Sequence, residues 1–310
     1  MNQCTLILSV SFLFGLSHSA YTQVFSCTND GDEHKPKGKI KSFTEKCYWP
    51  FKGNYSLSNE NSYYYDEEDN LTKQIYGFGQ GLRTDNYFYT DGKLMKLDLD
   101  LGLQSNVHNI KIFFCYDNDG KKISEIEFKD DLPSVTTKFK YDDLGNQIEQ
   151  DYIETKNGKL LDLIKFNYNR HGNMIYEERR VLSSNKIYKY FYKYDTDENL
   201  IEKIVNQNNI NIDTSAYKYD EKRNKIERIC YLPGYLAKVT YTYDNSNNIT
   251  GEYSYNSDGT LVYKILYQIE YDMRENWISI SQFDLRYNEM PIITKREIEY
   301  SADQTVIVDY

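Results

Sequence analysis

The chain is 310 residues long, sets 47 Asp and Glu against 37 Lys and Arg for a formal net charge of −10, and holds 32 Tyr but only 5 Pro. That balance argues against nucleic acid as a partner, because a polyanion is held by concentrated Lys and Arg, and the interleaving of both signs reads as a solvated face. With a mean hydropathy of −0.73, a core has to rely on tyrosine, whose ring buries a face while its hydroxyl keeps a polar partner.

At the N terminus, Thr5 to Leu16 form one apolar run that ends in the small polar residues Ser17 to Ala20. It is too short to span a bilayer comfortably and reads as the apolar region of a signal peptide over 1–19, cut after Ser19 or Ala20, although no Lys or Arg precedes it. Export to the medium, the periplasm or the cell surface is therefore expected. No transmembrane segment is expected in the mature chain.

The next stretch, 20–50, lacks the periodicity of the remaining chain and reads as an N-terminal tether or cap. Loss of the signal removes Cys4 and leaves Cys27, Cys47, Cys115 and Cys230, which allow three pairings. Cys27 with Cys47 is the candidate disulfide, closing a loop in a segment with little core of its own, and a lipid anchor on Cys27 is the alternative.

From 51 to 310 one hexapeptide returns: Tyr, then Asp or Asn, three polar or Gly residues, then Asn. It runs Tyr65 to Asn70, Tyr141 to Asn146, Tyr168 to Asn173, Tyr194 to Asn199, Tyr219 to Asn224, Tyr243 to Asn248 and Tyr271 to Asn276, with degenerate copies starting at Tyr89, Tyr116 and Tyr255. The steps from Tyr116 through Tyr141, Tyr168, Tyr194, Tyr219 and Tyr243 are 25, 27, 26, 25 and 24 residues, a period that marks stacked supersecondary units. Asp and Asn satisfy local backbone groups, and Gly120, Gly145 and Gly172 supply left-handed angles, so the hexapeptide is a turn.

Before each motif tyrosine the pattern has period two. Ile112, Phe114 and Tyr116 share one face, as do Phe139 and Tyr141, or Val239, Tyr241 and Tyr243, with Lys138 and Lys140, or Thr240 and Thr242, on the other. Such alternation is that of half-buried antiparallel strands. Midway between hexapeptides lies a second class of turn, clearest at Lys156-Asn157-Gly158-Lys159, where Asn-Gly signals a hairpin. Each repeat therefore holds two strands, and the array is an all-β antiparallel hairpin meander of about twenty strands. A single open sheet of that width twists and leaves its edges bare, so it is expected to coil into a β-spiral strip that shields the tyrosine side.

The hexapeptide, its spacing, and forms such as Tyr141-Asp142-Asp143-Leu144-Gly145-Asn146 resemble the YD repeats of the RHS and teneurin-like superfamily. That resemblance implies hairpins wound into a spiral strip, which in long members closes around a toxin and in others serves attachment or recognition. This chain has too few repeats to enclose a polypeptide and no Asp-Pro self-cleavage site, so cargo delivery is not implied.

No site chemistry stands out. His34, His108 and His171 are scattered, which argues against zinc, and no nucleophile elbow, P-loop or dinucleotide fingerprint occurs. The acidic groups Asp66 to Asp69 and Asp117 to Gly120 read as turn solvation before calcium ligation. No cofactor, metal or catalytic residue is expected. Tyr188, Tyr190 and Tyr192 share one face of a strand and read first as core, second as a platform for stacking on sugar rings. The functional expectation is an exported non-enzymatic scaffold for carbohydrate or protein recognition. A structural or neutralising partner of an RHS-type system and a glycan hydrolase are the other two readings.

Overall fold

The computed structural model describes residues 35–78, 81–102, 106–232, 235–286 and 290–301; the signal-peptide reading, and Cys27 with its disulfide or anchor, fall outside them. Among the described residues there are twenty strands. The first eight are β1 (Ile40–Phe51), β2 (Asn54–Tyr65), β3 (Leu71–Phe78), β4 (Gly81–Thr90), β5 (Lys93–Asp100), β6 (Asn109–Tyr116), β7 (Lys122–Lys129) and β8 (Leu132–Tyr141). The next seven are β9 (Gln147–Glu154), β10 (Lys159–Tyr168), β11 (Met174–Val181), β12 (Lys186–Tyr194), β13 (Leu200–Gln207), β14 (Ile210–Tyr219) and β15 (Lys225–Leu232). The last five are β16 (Tyr235–Tyr243), β17 (Ile249–Tyr255), β18 (Leu261–Tyr271), β19 (Trp277–Asp284) and β20 (Ile292–Tyr300).

Each strand pairs antiparallel with the next in sequence, and β20 pairs antiparallel with β1 through Phe43↔Ile298, Glu45↔Arg296 and Cys47↔Thr294. The meander is thus a closed up-and-down β-barrel, which corrects the open spiral strip expected from the sequence. The physical reason is the edge problem itself: a strip keeps two rows of unpaired backbone groups, whereas closure removes both. For twenty strands spaced about 4.8 Å apart and tilted by about 40°, a circular section would be roughly 40 Å across between backbones.

Closure also assigns residues 40–50, which the sequence placed in a tether or cap, to the barrel wall as part of β1. The hairpin of β1 with β2 turns on Lys52 and Gly53, both at positive φ (50° and 79°), the signature of a two-residue turn whose twist matches the flanking strands.

The fully buried side chains fall on one face of the wall. Phe43, Tyr63, Tyr76, Leu99, Ile110, Ile112, Phe114, Phe139, Ile164, Val205, Ile265 and Tyr267 follow the tyrosine phase. Curvature crowds side chains only on the concave side of a closed sheet, so the tyrosine face is the inner one. The outer face carries cross-strand charge ladders: Lys46 with Glu297 at 3.0 Å, Lys140 and Lys165 on either side of Glu149, and Lys218 and Lys238 flanking Glu227 at 2.6 and 3.0 Å. Unlike charges set directly opposite, as Lys140, Lys165 and Lys218 are, or on the diagonal, as Lys46 and Lys238 are, stabilise a sheet face that meets water.

Candidate functional site: the tyrosine face and its turns

Each hexapeptide closes by one scheme. At 141–146 the Asp142 N–H donates to the Asn146 carbonyl at 2.9 Å and the Gly145 N–H to the Asp142 carbonyl at 3.0 Å. Asp142 Oδ1 accepts from the N–H groups of Leu144 and Asn146, and Asn146 Nδ2 donates to the remaining Asp142 oxygen at 2.9 Å. The same carboxylate-to-amide pairing recurs at Asp66 with Asn70, Asp195 with Asn199, Asp220 with Asn224 and Asp244 with Asn248. The fifth position takes the left-handed backbone, as Gly145 (φ 86°) or as Glu198 and Arg223 (φ 67° each). These bonds hold the Asp142, Asp195 and Asp220 carboxyls below their ordinary range, the asparagine side chain first among the causes.

Asn169 is the informative exception. It accepts from the N–H groups of His171 and Asn173 through Oδ1, but its second terminal atom is a donor, so Asn173 Nδ2 is buried with no hydrogen-bond partner.

The motif tyrosine itself stitches repeat to repeat. Its hydroxyl donates to the carbonyl of a residue at or beside the start of the preceding strand: Tyr116 to Leu94 (2.7 Å), Tyr141 to Lys122 (2.7 Å), Tyr168 to Gln147 (2.8 Å), Tyr194 to Met174 (2.8 Å), Tyr219 to Leu200 (2.9 Å) and Tyr243 to Lys225 (2.8 Å). From β5 to β16 the hexapeptide end of the barrel is therefore stitched by a run of phenol-to-carbonyl bonds. The last turn is tied to the seam instead, with Asn276 Nδ2 donating to the Lys37 carbonyl (3.0 Å) and the Tyr300 hydroxyl (2.7 Å), and Tyr300 donating to Asp272. Tyr65 is buried beside Phe43, and Tyr271 stands 39 % exposed.

Between the tyrosines, the inner face is lined by paired charges that sequence reading did not single out. Arg83 holds Asp85 in two bonds of 2.8 and 2.7 Å, Lys122 meets Glu125 at 3.0 Å, and Arg179 meets Asp162 at 2.7 Å. The deepest pair sits at the closing seam, where Glu45 and Arg296, 6 % and 5 % exposed, bond to each other. The Arg296 guanidinium lies 3.5 Å from the Trp277 ring and 5.0 Å from Phe43. The signal that could have exposed these residues is phase: within a strand, a charged residue an even number of places from an inward aromatic is itself inward, as Glu45 is beside Phe43 and Asp85 beside Tyr87.

Tyr188, Tyr190 and Tyr192 all lie on the inner face of β12, Tyr188 and Tyr190 opposite Arg179 and Glu177 of β11 and Tyr192 opposite Lys203 of β13. Lys203 Nζ lies 5.3 and 5.8 Å from the Tyr190 and Tyr192 ring centroids, and the Tyr192 hydroxyl donates to Glu177 at 3.4 Å. Two of the three rings thus already carry a cation on a face. Cys47 is buried in β1, and burial pushes its thiol up.

No family model matches the chain, and no curated protein sequence matches it. Among solved structures it is similar to a porin-like protein from Bacteroides uniformis, at 11 % identity and a TM-score of 0.41, over 84 % of this chain and 98 % of that one. A porin-like protein from Bacteroides vulgatus gives 11 % identity and a TM-score of 0.22 over the same shares. The Photorhabdus luminescens Tc holotoxin pore gives 10 % identity and a TM-score of 0.33, over 81 % of this chain and 17 % of that one. The barrel is defined by the strand pairings of this chain, and the YD-repeat resemblance stands on its hexapeptides.

Proposed function

We propose that this chain is an exported, non-enzymatic barrel that faces water on both sides of its wall and binds saccharide along its tyrosine-rich inner face. The observation that carries the water-facing reading is the presence of paired charge on both faces of the wall. On the outer face, Lys46–Glu297 and the Lys238 partner of Glu227 lie near mid-strand, where a lipid-spanning barrel needs an apolar band. The inner face, with Arg83–Asp85, Lys122–Glu125 and Arg179–Asp162, offers no such band either. A basic residue on a lipid face costs about 2–4 kcal/mol at the bilayer midplane, and here several face each way.

Binding is favoured over hydrolysis because the inner carboxylates are engaged. Asp85, Glu125 and Asp162 each hold a cation, so their oxygens are committed to partners within the wall rather than free to serve as the acid and base of a glycosidase pair. Phenols and paired charges alternating on one surface suit a hydroxyl-rich ligand, which takes stacking from the rings and hydrogen bonds from their neighbours.

A glycan array probed with the secreted chain tests this reading, with saccharide binding and no product release expected. Purified protein should add no conductance to a planar bilayer, and intact mass should begin at Ala20 or Tyr21. Discrete channel steps, or an array without binding, would remove the proposal.

A further inference from the structure

Each hexapeptide ends in a register shift, as at Lys140/Tyr141 and Lys218/Tyr219. The first residue of the following strand and the residue three places on then meet on the inner face. In β7 these two are Lys122 and Glu125, an ion pair at 3.0 Å, and in β9 they are Gln147 and Gln150, hydrogen-bonded at 3.1 Å. In β15 the same slots hold two cations, Lys225 and Arg228.

Lys225 Nζ lies 5.0 Å from the Tyr217 ring centroid. Arg228 stands opposite Tyr217 of β14 and Val239 of β16, against Cys230 and Tyr241. Its Nε is buried without a hydrogen-bond partner. Among the described residues no carboxylate forms an ion pair with either cation, and Glu252, opposite Tyr241 on the same face, accepts from the Tyr263 hydroxyl at 2.6 Å. Burial, with Arg228 as the second cause, pulls the Lys225 ammonium below its ordinary range. An exposed Lys225 beside a half-buried Arg228, with one guanidinium donor unmet, suits a single anion, which would pair both cations and satisfy the guanidinium in a charge-assisted, bidentate geometry.

We propose that Lys225 and Arg228 form an oxyanion site on the inner face of β15, taking the carboxylate or sulfate of an acidic sugar whose ring packs against Tyr217 and Tyr241. This rests on the proposed saccharide binding and narrows it to acidic glycans. The test is calorimetric titration of the full secreted chain with glucuronate, inorganic sulfate and glucose. Alongside wild type it uses Arg228→Gln, the double variant Lys225→Gln/Arg228→Gln, and Lys222→Gln in the exposed preceding turn as a control. Sulfate protection against thermal unfolding provides a second readout, and comparable folding of the variants is checked by circular dichroism.

Glucuronate and sulfate are expected to bind wild type and the Lys222 variant, to bind roughly tenfold more weakly once Arg228 is neutralised, and to lose affinity as salt rises; glucose should show none of this dependence. Equal glucuronate affinity in wild type and the double variant overturns the site, and sulfate binding without glucuronate binding overturns the sugar assignment. An array empty of all glycans, beside sulfate protection that the double variant lacks, would sink the saccharide reading while leaving the cation pair as an anion site.

Discussion

At the scale of single residues, the repeat is held by an asymmetry between Asp and Asn at its second position. Asp142 offers two acceptors, one to backbone N–H groups and one to Asn146, whereas Asn169 offers one acceptor and leaves Asn173 Nδ2 unmet. Replacing Asn169→Asp should therefore stabilise the chain by about 1 kcal/mol, read as a shift in the urea midpoint without a change in slope; a destabilised variant would contradict the scheme. The same carboxylates set the acid response. Asp142, Asp195 and Asp220 have folded pKa values below their unfolded ones, so they stabilise the chain above the ordinary aspartate pKa of about 3.9 and cease to do so as pH falls through their folded values. The denaturation midpoint should hold near neutrality and drop steeply below about pH 4; a flat profile down to about pH 2 would count against the turns as the source of stability.

At the scale of the element, the turn and the strand phase were legible because both are local. The hexapeptide carries its own acceptors and its own left-handed residue, and period two in the preceding strand sets which side the tyrosine occupies. Gly145 sits at φ 86° with only the Lys121 side chain within 4 Å of an added Cβ, at 3.8 Å, so backbone strain rather than a clash governs substitution there. Gly145→Val should cost about 1–2 kcal/mol, while Asn247→Gly, at φ 65° in the equivalent slot, should be tolerated; urea titrations of the pair separate conformational strain from packing. The inner-face charges were not legible, because a lone Lys225 or Arg228 reads as solvated until the register shift shows which way it turns.

At the scale of the whole molecule, closure depends on contacts no repeat contains. β1 meets β20 through Glu45 and Arg296, 251 positions apart, with Trp277 and Phe43 against the guanidinium. Lys37 and Tyr300 add bonds to the last turn. Arg296→Ala would strand a buried carboxylate and should cost about 3–5 kcal/mol, detectable by thermal unfolding. Glu45→Gln combined with Arg296→Met should recover much of that loss, since removing both charges relieves the desolvation of each. If the single variant unfolds no earlier than wild type, the seam is not held by this pair.

The amino-acid order determined that this chain is an antiparallel hairpin array, where its hexapeptide turns fall, and which side of each strand the tyrosines take, because each of those depends on residues within a few positions of one another. Whether the array stays a strip or becomes a ring was decided by accumulated twist and by β1, whose inner Glu45 breaks the apolar alternation and makes sense only beside Arg296. Only folding brings those two side chains together, and the same wrapping turns scattered inward charges into a continuous inner surface.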